Sequence, residues 1–182
     1  MLYESKTFTL KDGRTAVLRN PDPERDATRM IEVLTRVCGE TEFLLRYPEE
    51  CRWTVEQEIS VLEGINQAEN RLMLVCEADG AVVGMCGLNL NGQIKFRHRA
   101  DLDISLLKAY WGQGIGTAMF RAMEEVARQR GVMLLELEYI GGNERGRGLY
   151  EKMGFQEVAR HPDAVMLKDG STRSLVYMMK KL

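Results

Sequence analysis

No stretch of this chain approaches the ~20 consecutive apolar residues that a membrane-crossing helix needs, so no membrane partner is expected. Met1–Thr9 holds neither a long apolar core nor a small-residue cleavage site, so it does not read as a signal peptide. Cysteine is sparse: Cys38, Cys51, Cys76 and Cys86 stand apart, with no CxxC spacing. A disulfide framework is not expected in a chain of 182 residues without an export signal. Cys76 and Cys86, among apolar neighbours, read as buried free thiols, and the expected location is cytoplasmic. The only histidines are His98 and His161. Neither has a Cys or carboxylate at ligand spacing, so no metal is expected, and no Ser-His-Asp set is visible. A net charge of -2 leaves no basic footprint for nucleic acid. There is no repeat and no Pro/Gly/Ser linker, and residues 1–182 read as one domain.

What is present is ordinary globular patterning, 45% hydrophobic and 29% charged. Asp12-Gly13 marks a tight turn between Phe8–Leu10 and Ala16–Leu18. After Pro21 and Pro23 a helix is expected, with Ala27, Met30, Ile31, Leu34 and Val37 on its buried face. Residues 39–53 read as irregular. Thr54 and Gln57 form a capping box for a second helix, with Val55, Ile59 and Leu62 as its stripe. Strands are expected at Leu72–Cys76 and Ala81–Leu90, joined by Asp79-Gly80. Asn91-Gly92 is the strongest two-residue turn signal. Ala100, Leu102, Ile104 and Leu106 then alternate with Asp101, Asp103 and Ser105, the period of a half-buried strand.

A helix follows from Ile115, with Ala118, Met119, Ala122, Met123 and Val126 along one face. Glu124 and Arg128 pair on its wet side, and Gly131 ends it. Val132–Ile140 reads as a strand and Arg145–Met153 as a short helix stopped by Gly154. Phe155–Ala159, Ala164–Lys168 and Leu175–Met179 read as strands, with a turn at Asp169-Gly170. Antiparallel hairpins therefore come first, then one strand–helix–strand crossover over roughly 100–140, which must be parallel and right-handed.

The junction of that crossover is Gly112-Gln113-Gly114-Ile115-Gly116. Glycine-rich backbone at a helix start is an anion site, because unpaired N–H groups and the helix dipole both face the ligand. A P-loop is excluded, since no Lys-Ser or Lys-Thr follows. A dinucleotide fingerprint fails as well. Counting from Gly112 or Gly114, the third glycine position holds Thr117 or Met119, and Glu136, about 20 residues on, lies mid-strand. A plain tight turn is the remaining alternative, and three glycines at a helix start exceed what it requires.

Trp111-Gly112-Gln113-Gly114-Ile115-Gly116-Thr117-Ala118 resembles the pyrophosphate loop of GNAT acetyltransferases, whose pattern is [QR]-x-x-G-x-[GA]. His98-x-Ala100-x-Leu102-x-Ile104-x-Leu106 resembles the strand that feeds it. Asn143 through Leu149-Tyr150 to Gly154-Phe155 resembles the family's N-x-x-A-x-x-L-Y-x-x-x-G-F segment. The match covers roughly residues 98–156. It implies an α/β (α+β) GNAT acyl-CoA N-acyltransferase fold, a mixed, mostly antiparallel central sheet splayed at the cofactor site and flanked by helices. Two departures stand out. Trp111 occupies the usual Gln or Arg position, losing a side-chain contact to pyrophosphate. Gly146 stands where Ala is usual and Gly148 adds a second glycine, each costing about 1 kcal/mol relative to Ala in a helix. Either the helix under Tyr150 is looser, or a close backbone contact tolerates only glycine.

The resemblance implies acetyl-CoA as co-substrate. It sets the acetyl carbonyl against Ile104, Ser105 and Leu106, with the Leu106 N–H as oxyanion donor, and the pantetheine arm in the splay beside Val132–Ile140. Gly112, Gln113, Gly114, Ile115, Gly116 and Thr117 would hold the pyrophosphate, Asn143 would bond the cofactor arm, and Tyr150 would protonate the leaving sulfur. The alternative for Tyr150 is a packed core aromatic beside Leu149. For the base, some relatives use a glutamate five residues before the Asn, which is Glu138 here. Glu136 on the same strand face and Asp101 are the alternatives, and any of them can simply be solvated.

The resemblance implies as acceptor a small-molecule amine or a peptide N-terminus. Glu40, Glu42, Glu49, Glu50, Glu56 and Glu58 form either a solvated acidic face or a mouth that draws in a cation. Met1–Lys11 is expected to add an edge strand. A non-catalytic GNAT-fold sensor of acyl-CoA is the rival class, and a homodimer is left open.

Overall fold

The computed structural model describes residues 1–182. One open sheet runs in the order β1-β2-β3-β4-β5-β6-β8-β7. Its strands are β1 (Lys6–Thr9), β2 (Thr15–Arg19), β3 (Arg71–Ala78), β4 (Ala81–Leu90), β5 (Arg99–Leu106), β6 (Leu134–Ile140), β7 (Gln156–Met166) and β8 (Thr172–Lys181). Four helices flank it: α1 (Pro23–Glu40), α2 (Val55–Gln67), α3 (Ile115–Gln129) and α4 (Glu144–Lys152). All pairings are antiparallel except β5 with β6. This is the mixed, mostly antiparallel architecture expected, and β1 is the extra edge strand. No helix is long and apolar enough to cross a membrane.

The helix starts follow local chemistry. Asp22 caps α1 by accepting from the Arg25 N–H, with Pro23 in the first turn, where its missing donor costs nothing. Thr54 and Gln57 close the expected capping box on α2, each side chain accepting from the other's backbone N–H. α1 and α2 cover one face of the sheet, and α3 and α4 the other. Phe120, Met119, Met123 and Ile115 of α3 are almost fully buried against β3–β5, as are Leu72, Leu74 and Leu88 of the sheet. Beneath α1, Arg19 forks onto Asp26 at 2.6 and 3.0 Å and reaches Glu77 at 2.7 Å, pinning β2, β3 and α1 together. Burial would raise the Asp26 carboxyl, but Arg19's hydrogen bonds and charge outweigh it and hold it below the usual range.

Several sequence expectations need correction. Val33, not Ile31 or Leu34, completes the buried face of α1; those two are half-buried. Gly92 does not adopt positive φ, so Asn91-Gly92 forms no two-residue turn, and residues 91–98 make a longer loop closed by the Asn91 N–H on the Arg99 carbonyl. The tight turn expected at Asp79-Gly80 does form, with both residues at positive φ. The two strands expected at Phe155–Ala159 and Ala164–Lys168 are one, β7, with bulges near Glu157 and His161 and Asp163 at φ 52. Bulges interrupt alternation, and an edge strand exposed on both faces has no apolar period to show. Phe155 falls outside it, buried edge-on against Phe120. Cys38 is buried as well as Cys76 and Cys86, and its Sγ lies 3.8 Å from that of Cys51; all four thiols are free.

The decisive feature is where the sheet opens. β5 and β6 pair only over Arg99–Asp101 and Leu134–Glu136. Beyond Asp101 they diverge, while β6 stays paired with β8 to Ile140. A cleft of about 1090 Å³ fills the splay.

Candidate active site

Two hydrogen bonds set the phase of β5. Asn91 N–H donates to the Arg99 carbonyl and Leu107 N–H to the Val83 carbonyl. In an antiparallel pair, hydrogen-bonded positions alternate. Asp101, Asp103 and Ser105 therefore direct their backbone groups to β4, and Ile104 and Leu106 direct theirs into the splay. The Leu106 N–H thus faces the cleft, while its carbonyl accepts from the Trp111 indole N–H at 2.9 Å.

At one end of the cleft is the glycine loop. None of the backbone N–H groups of Gly112, Gln113, Gly114, Ile115, Gly116 and Thr117 donates to a protein acceptor; the first bond of α3 runs from Ala118 to the Gly114 carbonyl. The glycines serve two different needs. Gly112 and Gly114 hold φ 80 and 95, a region costly to side chains. A Cβ on Gly116 would lie 2.8 Å from Leu149 Cδ2, so this glycine lets α4 pack against α3. Gln113 turns its side chain away, accepting from the Asp12 N–H at 3.1 Å and tying the loop to the β1–β2 turn. Only its backbone is left to face a ligand. Lys11 from that turn also lines the cleft.

Asn143 caps α4, its Oδ1 accepting from the Gly146 N–H at 2.8 Å. This resolves the Gly146 departure. A Cβ there would lie within 2.6 to 2.9 Å of three Asn143 side-chain atoms, so an alanine would have to displace the Asn143 side chain from this position. Tyr150 follows on the inner face of α4, 8% exposed, its ring centroid 5.7 Å from Phe120 and 5.5 Å from Tyr139. It is thus a packed aromatic, yet its hydroxyl has no protein hydrogen-bond partner and the residue lines the cleft. Burial, and secondarily Tyr139, pushes the phenol up to about 12, so it stays protonated near neutral pH.

The other end of the cleft is floored by side chains on the α1-covered face of β5 and β6. Asp101 pairs directly with Glu136, which places Asp101, Asp103, Glu136 and Glu138 on one face. Glu136 is held by Arg99, which forks onto it at 2.7 Å through both nitrogens. Asp101 receives one long contact, 3.4 Å from Asn91 Nδ2. Glu138, opposite Tyr177, is exposed and has no partner. Asp103 was not singled out in the sequence. Its surface opens to the cleft, but protein surrounds it on the other sides, and no donor reaches it. The carboxylate is exposed to the cleft, yet the protein packed around it raises its pKa, with Arg71's charge opposing. Gly87 makes its room, since a Cβ there would stand 2.6 Å from Oδ2. A strand aspartate reads as solvated in a lone sequence; only the facing glycine could have hinted otherwise.

The acidic residues read as either a solvated face or a mouth lie away from the cleft. Glu40 accepts from Lys108 N–H and Arg36, Glu49 pairs with Lys168, and Glu50 accepts from Tyr47 N–H. Neither these nor Glu42, Glu56 and Glu58 line the cleft. Glu40 and Glu50 accept from backbone N–H groups of nearby turns, and Glu49 is ion-paired.

A loop of free backbone N–H groups, a strand edge whose N–H groups face the cleft and a protonated phenol lie together around one splay. The profile of the Acetyltransferase (GNAT) family matches residues 32–155. The chain therefore belongs to the GNAT acetyltransferase family. A protein of Bacillus subtilis (strain 168), provisionally named a [ribosomal protein bS18]-alanine N-acetyltransferase, is 32% identical over 83 residues, 46% of this chain and 52% of that protein. The chain thus matches about half the length of that relative. An acetyltransferase of the GNAT family from Streptococcus pneumoniae shares the fold with TM-score 0.85 at 24% identity, covering 92% of this chain and 99% of its own. The yncA protein from Salmonella typhimurium, solved with its cofactor acetyl-CoA, gives TM-score 0.77 at 20% identity, covering 92% and 94%.

Proposed function

We propose that residues 1–182 form one domain that moves an acetyl group from acetyl-CoA to a primary amine on a small cationic molecule or a peptide N-terminus. The observation that carries this reading is the run of free N–H groups from Gly112 to Thr117 beside the splay. Such a run suits a pyrophosphate, and the splay suits an extended thioester arm. The fold neighbour solved with acetyl-CoA supports the same co-substrate.

The residues divide the work as follows. Leu106 N–H lies ready for the oxyanion that develops on the carbonyl, without reorganisation. The attacking amine must lose a proton, since a free alkylamine has a pKa near ~10. Asp103 and Glu138 are the unpaired carboxylates available to take it. Asp103's raised pKa brings it nearer the operating pH, which favours it as base. Glu138 is the alternative, directly or through water, and Arg99 takes Glu136 out of contention. Tyr150 meets the departing sulfur. A phenol this weakly acidic shares its proton by hydrogen bond, and the proton released by the amine balances the thiol formed. Asn143, committed to its cap through Oδ1, keeps Nδ2 for the arm.

Asp101, Asp103 and Glu138 give the acceptor end a negative floor, which suits a positively charged amine. The Bacillus relative's name adds a protein N-terminus as an acceptor class. The test is turnover of acetyl-CoA with a library of polyamines, aminoglycosides and N-terminal peptides, alongside a melting curve. Acetyl-CoA is expected to raise the melting temperature and to be consumed with at least one amine. A melt shifted by NADH and not by acetyl-CoA overturns the reading. Binding without turnover of any amine favours a sensor.

A further inference from the structure

We infer that Arg145 supplies the cation to the cofactor's pyrophosphate that position 111 lacks, and that Trp111 is the platform aligning it. The inference rests on the acetyl-CoA reading. The pattern that Trp111 interrupts takes Gln or Arg, a side chain that can donate to phosphate. Trp111 has one donor, and Leu106's carbonyl takes it at 2.9 Å. The indole therefore has nothing left to offer an anion except its face.

That face is covered. The Arg145 guanidinium carbon lies 5.0 Å from the Trp111 ring centroid, within cation–π range. Its Nη2 lies 3.3 Å from where a Cβ of Gly112 would stand, so the charge sits against the first residue of the free N–H run. Arg145 has no ion-pair partner. Its neighbour Arg147, by contrast, is committed to Glu151 and Glu144. A guanidinium stacked through its flat face keeps its N–H edge free, the geometry that recognises phosphate by a fork. Arg145 comes from the first turn of α4, just past the Asn143 cap, and both residues line the cleft. The charge has moved from the loop to a neighbouring helix.

The arrangement also ties the Leu106 end of β5 to the glycine loop. The indole that carries Arg145 holds the Leu106 carbonyl, one peptide away from the N–H that faces the splay. Trp111 is therefore a positioning residue as well as a platform.

The experiment measures acetyl-CoA affinity by calorimetry for the intact chain and for Arg145→Gln, Arg145→Lys and Trp111→Phe. Arg145→Gln should weaken binding roughly tenfold to a hundredfold, the worth of a charge-assisted bond, and flatten its salt dependence. Arg145→Lys should recover part of this. The same loss is expected with 3′-dephospho-acetyl-CoA, which keeps the pyrophosphate, and none with S-acetylpantetheine, which has no phosphate. Trp111→Phe keeps the stack and removes the hydrogen bond, so it should lower kcat more than affinity. The inference is overturned if Arg145→Gln binds acetyl-CoA like the parent, if S-acetylpantetheine suffers equally, or if the loss vanishes with the dephospho compound. Failure of the parent itself to bind acetyl-CoA would overturn the functional reading, and this inference with it.

Discussion

The two ends of the cleft are made of different materials. At the glycine loop the working groups are backbone N–H groups, contiguous from Gly112 to Thr117, with Arg145 and Lys11 beside them. At the acceptor end they are side chains on β5 and β6, walled by Leu34 and Val37 of α1 and Met73 and Met85 of the sheet. One end is positive and locally encoded; the other is negative and assembled from distant segments. An anion held by backbone depends first on φ/ψ, with Arg145 adding its charge from α4, whereas the acceptor floor can change one side chain at a time without touching the loop.

The largest effect should come from breaking the backbone end. Gly114→Val forces a β-branched residue to φ 95, a genuine outlier, and removes the loop's shape. It should abolish the acetyl-CoA shift of the melting temperature at concentrations that shift the parent. A preserved shift would show that the loop geometry is not what binds.

Next is the group where the two ends meet. Tyr150→Phe keeps the ring packed on Phe120 and Tyr139 and removes only the hydroxyl. It should lower kcat roughly 10²- to 10⁴-fold, the usual contribution of a positioned proton donor, with acetyl-CoA affinity unchanged. Full turnover with chemistry rate-limiting would return Tyr150 to the core.

At the acceptor end, Asp103→Asn should lower kcat/KM for the amine by about 10²-fold, more than Glu138→Gln; the reverse order would make Glu138 the base. Stability supplies an independent check. Asp103's folded pKa is raised above 3.8, so the folded state binds the proton more tightly than the unfolded one. Stability therefore falls as pH rises from about 4 through the folded pKa, and the cost is complete above it. Asp103→Asn should remove this decline and melt higher than the parent at neutral pH, while matching it more closely in acid.

The smallest effect sharpens the contrast. Glu49→Gln with Glu50→Gln, outside the cleft, should leave KM for cationic amines and its salt dependence unchanged. A raised KM would restore those residues to the acceptor mouth.

Legibility in the sequence followed the same division. The alternation from Ala100 to Leu106, the stripe from Ile115 to Val126 and the capping box at Thr54 are local patterns, and each became the element expected. β7 was split because its bulges disrupt the period, and Asn91-Gly92 misled because a turn dipeptide acts only where the flanking strands pair next to it. Glu49 and Asp103 exchanged roles for one reason. Whether a carboxylate is solvated, paired or buried depends on what the fold sets across from it: Lys168 for the first, Gly87 for the second.

The sequence by itself determined the strand–loop–helix with its glycines, the helix bearing Asn143 and Tyr150, and thereby the family, because backbone conformation and helix periodicity are written in adjacent residues. Only the tertiary structure decided that Gly146 gives the Asn143 side chain its room, that Arg145 lies on Trp111, and which carboxylates floor the cleft. Those are contacts between segments far apart in the chain, and their electrostatics depend on burial that no local pattern encodes.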